Sequence, residues 1–163
     1  MATYVLRRAS VADMDVLVRH RIRMFEDMGR MSDPGVDVDR LTAEYRDWLA
    51  RVIPDDTYVS WVVEDQAPDA SRTVVAGGGA TIIPWPPGPT YPGSRLAFVY
   101  NVYTEPEHRG RGLARQVMTA VEDYCRQHGI RSIALNASEF GQPLYEAMGY
   151  AVTPSPMMFL ALR

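Results

Sequence analysis

Apolar side chains recur along this chain at two spacings, and the switches between them mark out its elements. Residues 4–8 read as a short first strand. Met14, Leu17, Val18, Ile22 and Phe25 then fall at helical spacing. Ser10 is the N-cap of that helix, Asp13 completes an acidic capping box three residues on, and Gly29 is the stop. A loop rich in Asp, Pro and Gly fills 31–39. Leu41, Tyr45, Trp48, Leu49 and Val52 mark a second helix, closed by Pro54. Residues 58–64, with β-branched side chains around Trp61, read as a strand, and 65–72 as a polar turn. A third strand over 74–83 contains Gly77, Gly78 and Gly79, which predict a bulge or a close backbone approach.

Five prolines within 84–93 exclude a regular element there and predict a stiff surface loop. A fourth strand over 96–103 leads through a Gly- and Arg-rich turn into a helix over 112–127. Leu113, Val117, Val121 and Tyr124 lie along one side of that helix, and Gly129 stands at its C′ position. A fifth strand over 130–136, a short helix over 141–148 and closing strands over 150–152 and 157–162 complete the chain. This order predicts one α/β domain over residues 1–163: a mixed central sheet of six to seven strands flanked by about four helices.

Composition narrows the possibilities. A chain of 163 residues, 47% apolar and 23% charged, has the length and balance of one globular domain. Seventeen basic and twenty acidic side chains leave a net charge of −3 with no run of one sign. No basic field draws phosphate backbones, so nucleic acid is not an expected partner. The single Cys125 cannot form an internal disulfide, and no Cys/His cluster has metal-ligand spacing, so no metal is expected. No apolar leader precedes the charged residues near the start, and no stretch approaches the ~20 apolar residues of a membrane span. These features predict a soluble, cytoplasmic protein.

The chemistry concentrates in residues 101–115, Asn-Val-Tyr-Thr-Glu-Pro-Glu-His-Arg-Gly-Arg-Gly-Leu-Ala-Arg. A strand gives way to small residues at a helix start, where free amides point outward at the positive end of the macrodipole and bind anions. Gly110, Gly112 and Ala114 keep bulk away from the amides of 109–115, and Arg109, Arg111 and Arg115 add charge. The same glycines also suit a plain strand-to-helix turn with solvated arginines. The ending of an ATP-binding loop is missing, and so is a complete dinucleotide fingerprint.

Arg109-x-x-Gly112-x-Ala114 after Asn101-Val102-Tyr103 resembles the acetyl-CoA signature of the GNAT N-acetyltransferases. Residues 133–138 and 144–150 resemble that family's second conserved block; Ala114 stands where many members have Gly. The resemblance implies a sheet splayed between strands 4 and 5, with acetyl-CoA as acyl donor. It implies that the amides of Arg109, Gly110, Arg111, Gly112, Leu113, Ala114 and Arg115 hold the pyrophosphate. Val102, Tyr103 and Thr104 would meet the thioester and pantetheine, Asn136 would touch the pantetheine from across the splay, and Tyr145 would protonate the departing thiolate. The expected activity is acetyl transfer to the primary amine of a small-molecule or amino-acid-like acceptor, by direct attack in a ternary complex. A homodimer is implied only at the level of the family.

Each assignment has a plainer alternative. Tyr145 also suits an aromatic buried under the sheet, and Asn136 a turn residue bonding its own backbone. A non-catalytic acyl-CoA-binding or sensing module on the same fold is the rival to an enzyme, since no general base stands out. Glu26, Asp27, Glu105 and Glu139 all read as solvated carboxylates, His20 and His128 as solvated imidazoles, His108 as a surface residue and Cys125 as inert packing. Arg23, Glu26 and Met28, with Trp85 and the proline-rich loop opposite, are the expected lining of the acceptor site.

Overall fold

The computed structural model describes residues 3–66, 72–155 and 157–162. Five strands are present among these residues: β1 (Tyr4–Arg8), β2 (Tyr58–Asp65), β3 (Thr73–Pro84), β4 (Arg95–Thr104) and β5 (Ser132–Leu135). The four helices are α1 (Met14–Asp27), α2 (Val38–Val52), α3 (Leu113–Gln127) and α4 (Gln142–Ala147). The strands lie in sequence order in one sheet, antiparallel from β1 to β4 and parallel between β4 and β5. The mixed sheet is therefore as expected, but among the described residues it has five strands and not six or seven. Residues 150–152 and 157–162 pair with no strand among the described residues. Their apolar pattern is strand-like, yet a strand forms only where a neighbour takes its backbone donors and acceptors. The polar turn expected over 65–72 lies mostly outside the described residues.

The chain enters α1 through a 3₁₀ turn, Val11–Asp13, and the expected capping box is formed: the Ser10 amide donates to Asp13 Oδ2 at 2.8 Å. Arg7 then bridges Asp13 and Glu64, each at 2.7 Å, which ties the start of α1 to β1 and β2. With α1 pinned there, α1 and α2 cover one face of the sheet, and Leu17, Val18, Tyr45 and Leu49 pack on Tyr58 and Val62. α3 covers the other face, setting Val117, Met118 and Val121 against Ala76, Ala80, Ala97 and Val99. Each Leu or Val buried this way contributes roughly 1.5–3 kcal/mol. α4 joins the α3 layer through Tyr145 and Met148.

β4 opens the sheet. Residues 96–99 are paired on both sides, with β3 and with β5. From Tyr100 onward β3 is the one strand partner among the described residues, so 100–104 present an open edge. The register with β3 slips at the same point: Gly77 faces Tyr103 and Gly79 faces Tyr100, which leaves Gly78 opposite both Asn101 and Val102. The extra residue of this bulge lies on β4, and the glycines of β3 accommodate it. Asn101 takes φ 58°, a left-handed conformation that Asn tolerates better than most side chains. Gly78 is there because Val102 lies over it; a Cβ would stand 3.0 Å from Val102 Cα and 3.2 Å from Val117 Cγ1.

Candidate active site

The turn after β4 delivers its amides at the start of α3. Gly110 and Gly112 hold φ 72° and 76°, where glycine carries no steric penalty. A Cβ at either would meet no atom within 4 Å, so the space beside these amides is open. Gly112 is the N-cap and supplies no side-chain acceptor. The amides of 110–115 therefore have no acceptor among the described residues, at the helix end that favours anions. Arg109 differs. Its amide donates to the Pro106 carbonyl at 3.3 Å, and its guanidinium donates to the Thr104 carbonyl at 2.9 Å and pairs with Asp27. The cradle thus begins at Gly110, one residue later than the motif suggests, because the preceding 3₁₀ turn consumes the first amide. Arg111 reaches back to the Tyr4 hydroxyl at 2.8 Å, while Arg115 is exposed beside Gly112 in a shallow cavity of about 520 Å³. The Leu113 side chain is buried in the core, so only its amide faces the turn.

Across the splay, a cleft of about 1360 Å³ runs along β5 and α4, lined by Phe98, Ile133, Leu135, Asn136, Tyr145 and Met148. Asn136 directly follows β5 and is exposed. The Tyr145 ring lies over Gly141, where a Cβ would come within 3.0 Å of Cε2; the absent side chain admits the ring. The Tyr145 hydroxyl makes no hydrogen bond to the described residues. Burial pushes its pKa above the usual phenol value, so it keeps its proton at neutral pH. On β4, Val102 and Thr104 are half-buried at the open edge. The Tyr103 side chain instead packs against His20 on the far face, with ring centroids 5.0 Å apart, so Tyr103 has only its backbone to offer the cleft.

Two expectations of solvated groups are overturned on that far face. His20 is buried beneath α1, and burial lowers its pKa to about 4 against the opposing influence of Glu105. Glu105 is buried too: Arg23 donates to it at 2.6 Å, Arg19 lies at 3.7 Å, and His20 Nε2 stands 3.3 Å away without hydrogen-bond alignment. A polar residue at helical spacing looks solvated until the face it shares is known. Glu26, Asp27 and Glu139 are exposed, as expected, with Asp27 holding Arg109.

The expected acceptor lining is not brought together. Arg23 is bound to Glu105, just beyond the end of β4, whereas Trp85 follows Pro84, which pairs with Arg95 at its start. A strand of ten residues separates them, about 33 Å at ~3.3 Å per residue. Met28 is half-buried at the end of α1 and Glu26 points to solvent.

A different group converges on the bulge. Asn101 is buried; its amide donates to the Tyr45 hydroxyl at 2.6 Å, and its carbonyl accepts from Arg21. The half-buried Arg21 guanidinium lies 4.6 Å from the Tyr45 ring centroid and 4.8 Å from that of Phe25. Unlike Arg19 and Arg23, it has no carboxylate partner among the described residues. On the same face Ser60 Oγ and Thr81 Oγ1 are buried without a hydrogen-bond partner. Nothing in the local sequence around Arg21 or Asn101 signals this meeting of α1, α2 and β4.

The sequence profile described as Acetyltransferase (GNAT) family matches residues 22–150, which span the splayed strand, the amide cradle and Tyr145. The chain belongs to the GNAT acetyltransferase family. A GCN5-related N-acetyltransferase from Ralstonia eutropha JMP134 is 31% identical, with 97% of this chain and 99% of that chain covered and a TM-score of 0.81. A predicted acetyltransferase from Clostridium acetobutylicum, solved with acetyl-CoA, is 25% identical over 97% of this chain and 96% of its own, at a TM-score of 0.83. The aminoglycoside N-acetyltransferase AAC(6′)-Iy, solved with CoA, shares the fold at 17% identity and a TM-score of 0.72, covering 99% of this chain and 96% of its own. A comparison with curated proteins finds no match. This GNAT chain is an acetyl-CoA-dependent acyltransferase. No helix among its described residues is long and apolar enough to cross a membrane.

Proposed function

We propose that this protein acetylates the primary amine of a small acceptor of amino-acid type by direct attack in a ternary complex. The observation that carries the reading is the one-sided stretch of β4. It runs from the bulge at Asn101 to the uncapped amides of α3, with Tyr145 across the opening. The amides of 110–115 hold the diphosphate of CoA, and Arg111 and Arg115 add charge around it. The backbone of Val102 and Thr104 seats the pantetheine arm, and Asn136 closes on it from the other lip. The thioester supplies the activated acyl group. A β4 amide released from the ladder meets the developing oxyanion, a contact typically worth about 3–4 kcal/mol. Tyr145, still protonated at neutral pH, gives its proton to the departing thiolate.

The acceptor amine must lose its own proton, because an ammonium with pKa near 10.4 is neutral only about once in 10³ at pH 7. The carboxylates weighed as bases are tied up or point to solvent. In this reading a water bonded to the buried hydroxyls of Ser60 and Thr81 takes the proton from the ammonium and passes it to bulk water, which leaves the neutral amine to attack. Arg21 supports the acceptor class. A partly desolvated guanidinium braced by two aromatic rings and Asn101, with no acid partner among the described residues, suits the carboxylate of an incoming amino acid.

The test is thiol release from acetyl-CoA over a panel of paired acceptors, L-amino acids beside their decarboxylated amines, with the N-acetyl product identified by mass. Turnover should favour the carboxylate-bearing member of each pair. CoA binding without thiol release from any acceptor would instead identify a binding module.

A further inference from the structure

Paired positions of an antiparallel sheet share a face, so the strand register shows which side chains stand beside Arg21. Tyr58, Thr81 and Phe98 form one row, and Ser60, Gly79 and Tyr100 the next. Tyr58 packs under α1 and α2, which puts both rows on the side of the sheet that carries Arg21. Along the second row Ser60 is buried, Gly79 adds no side chain, and Tyr100 is 39% exposed. The Tyr100 ring leans on that of Phe98, with centroids 4.9 Å apart and planes 31° apart. β5 pairs with β4 no further than Val99, so Tyr100 is the first side chain of the open edge.

Arg21 lies next to that ring. Its partner Asn101 directly follows Tyr100, and its Nε is buried without an acceptor among the described residues. Burial raises the pKa of the Tyr100 phenol while the Arg21 charge pulls the other way, so cation and ring are within electrostatic reach. The neighbouring cations of α1, Arg19 and Arg23, are both held by Glu105. Apart from Asn101, the surroundings of Arg21 are therefore aromatic among the described residues. Phe25 and Tyr45 stand against its guanidinium, and Tyr100 with Phe98 continues the ring surface toward β5.

We infer that the acceptor is an amino acid with an aromatic side chain: Arg21 takes its carboxylate, and the exposed ring of Tyr100, backed by Phe98, packs against its side chain. The inference rests on the amino-acid reading of Arg21 given above and adds the side chain to it. A carboxylate on Arg21 and a ring on Tyr100 hold the acceptor on two sides of its Cα, which leaves the amine to turn toward the open edge of β4. A ring gains area and an offset ring contact there. A charged side chain gains less. An ammonium set against these rings lies beside the Arg21 cation, and a carboxylate meets ring faces whose quadrupole repels it.

Thiol release from acetyl-CoA by the full chain, measured with L-phenylalanine, L-tyrosine, L-alanine and L-aspartate, tests the assignment. kcat/KM should be roughly 10–100-fold higher for the ring-bearing acceptors than for L-alanine, the scale of covering one ring. Tyr100→Ala should shrink the phenylalanine-to-alanine ratio about tenfold. Damage to the fold or to CoA binding lowers both acceptors and leaves that ratio in place. Tyr100→Lys is the second arm: a cation at this position should turn the preference toward L-aspartate, a gain that no loss of structure produces. Amino acids acetylated without preference for a ring, or a ratio untouched by both substitutions, would overturn the aromatic assignment and leave the amino-acid reading standing. Phenethylamine acetylated as fast as L-phenylalanine would overturn the amino-acid reading, and the aromatic amino acid with it.

Discussion

The two ends of the proposed site are built from different materials. The CoA end is backbone: consecutive amides, aimed by two glycines at positive φ and by the start of α3, within a stretch of a few residues. The acceptor end is side chain: Arg21 from α1 and Tyr45 from α2 meet Asn101 on β4, and the Arg21–Asn101 contact spans 80 positions of sequence. A backbone site depends on little besides conformation, so most side chains around it are replaceable. A side-chain site can be retuned by one substitution, and it is there that relatives sharing the sheet can differ in what they acetylate.

The contrast can be broken most severely at Gly112. Gly112→Glu places a side chain and a negative charge where an anion belongs and forces a φ of 76° on a residue that resists it. Titration calorimetry should show CoA affinity falling at least ~100-fold while the circular dichroism spectrum is retained; unchanged affinity would remove the anion site from the turn. At the other end, Arg21→Met should raise KM for a carboxylate-bearing acceptor roughly 50-fold, the scale of a partly buried charge-assisted contact. CoA affinity and KM for the decarboxylated amine should stay put. Equal losses for both acceptors would mean that Arg21 only braces Asn101.

Tyr145→Phe tests the lip between the two ends. A thiol of pKa near 8.5 leaves fairly well unaided, so kcat should drop only about tenfold, with CoA affinity preserved. A kcat equal to wild type would take the hydroxyl out of the reaction. The smallest effect concerns His20. Its folded pKa lies below the unfolded 6.5, so the unfolded chain binds the extra proton first, and stability falls as pH drops below 6.5 toward the folded pKa of about 4. Between pH 7 and 5.5, chemical denaturation should show a loss of about 1 kcal/mol from this residue. His20→Leu should flatten that slope, and an unaltered slope would show that His20 is not the group responsible.

Much of this was legible in the chain itself. The capping box at Ser10 and Asp13, the glycine stop of α1 and the irregular proline-rich loop rest on local chemistry and form near the expected residues; of the amides expected to be free over 109–115, those of 110–115 are without an acceptor among the described residues. What failed to show in the sequence depends on neighbours. His20 and Glu105 look like solvated polar residues and are buried against each other. Arg23 and Trp85 look like opposite walls of one pocket and sit at opposite ends of β4. Residues 157–162 look like a strand, but pairing is a property of two segments and only one of them is in their own sequence.

By itself, then, the sequence determined the first five strands, the four helices, their order and the glycine turn at the start of α3, because helix starts, turns and positive-φ glycines are governed by residues a few positions apart. Only the tertiary structure decided which polar groups lose water and that, among the described residues, Arg21 has no acid partner and β5 no strand on its outer edge. Burial and partnership are set by contacts between distant segments, and no local pattern encodes which segments will meet.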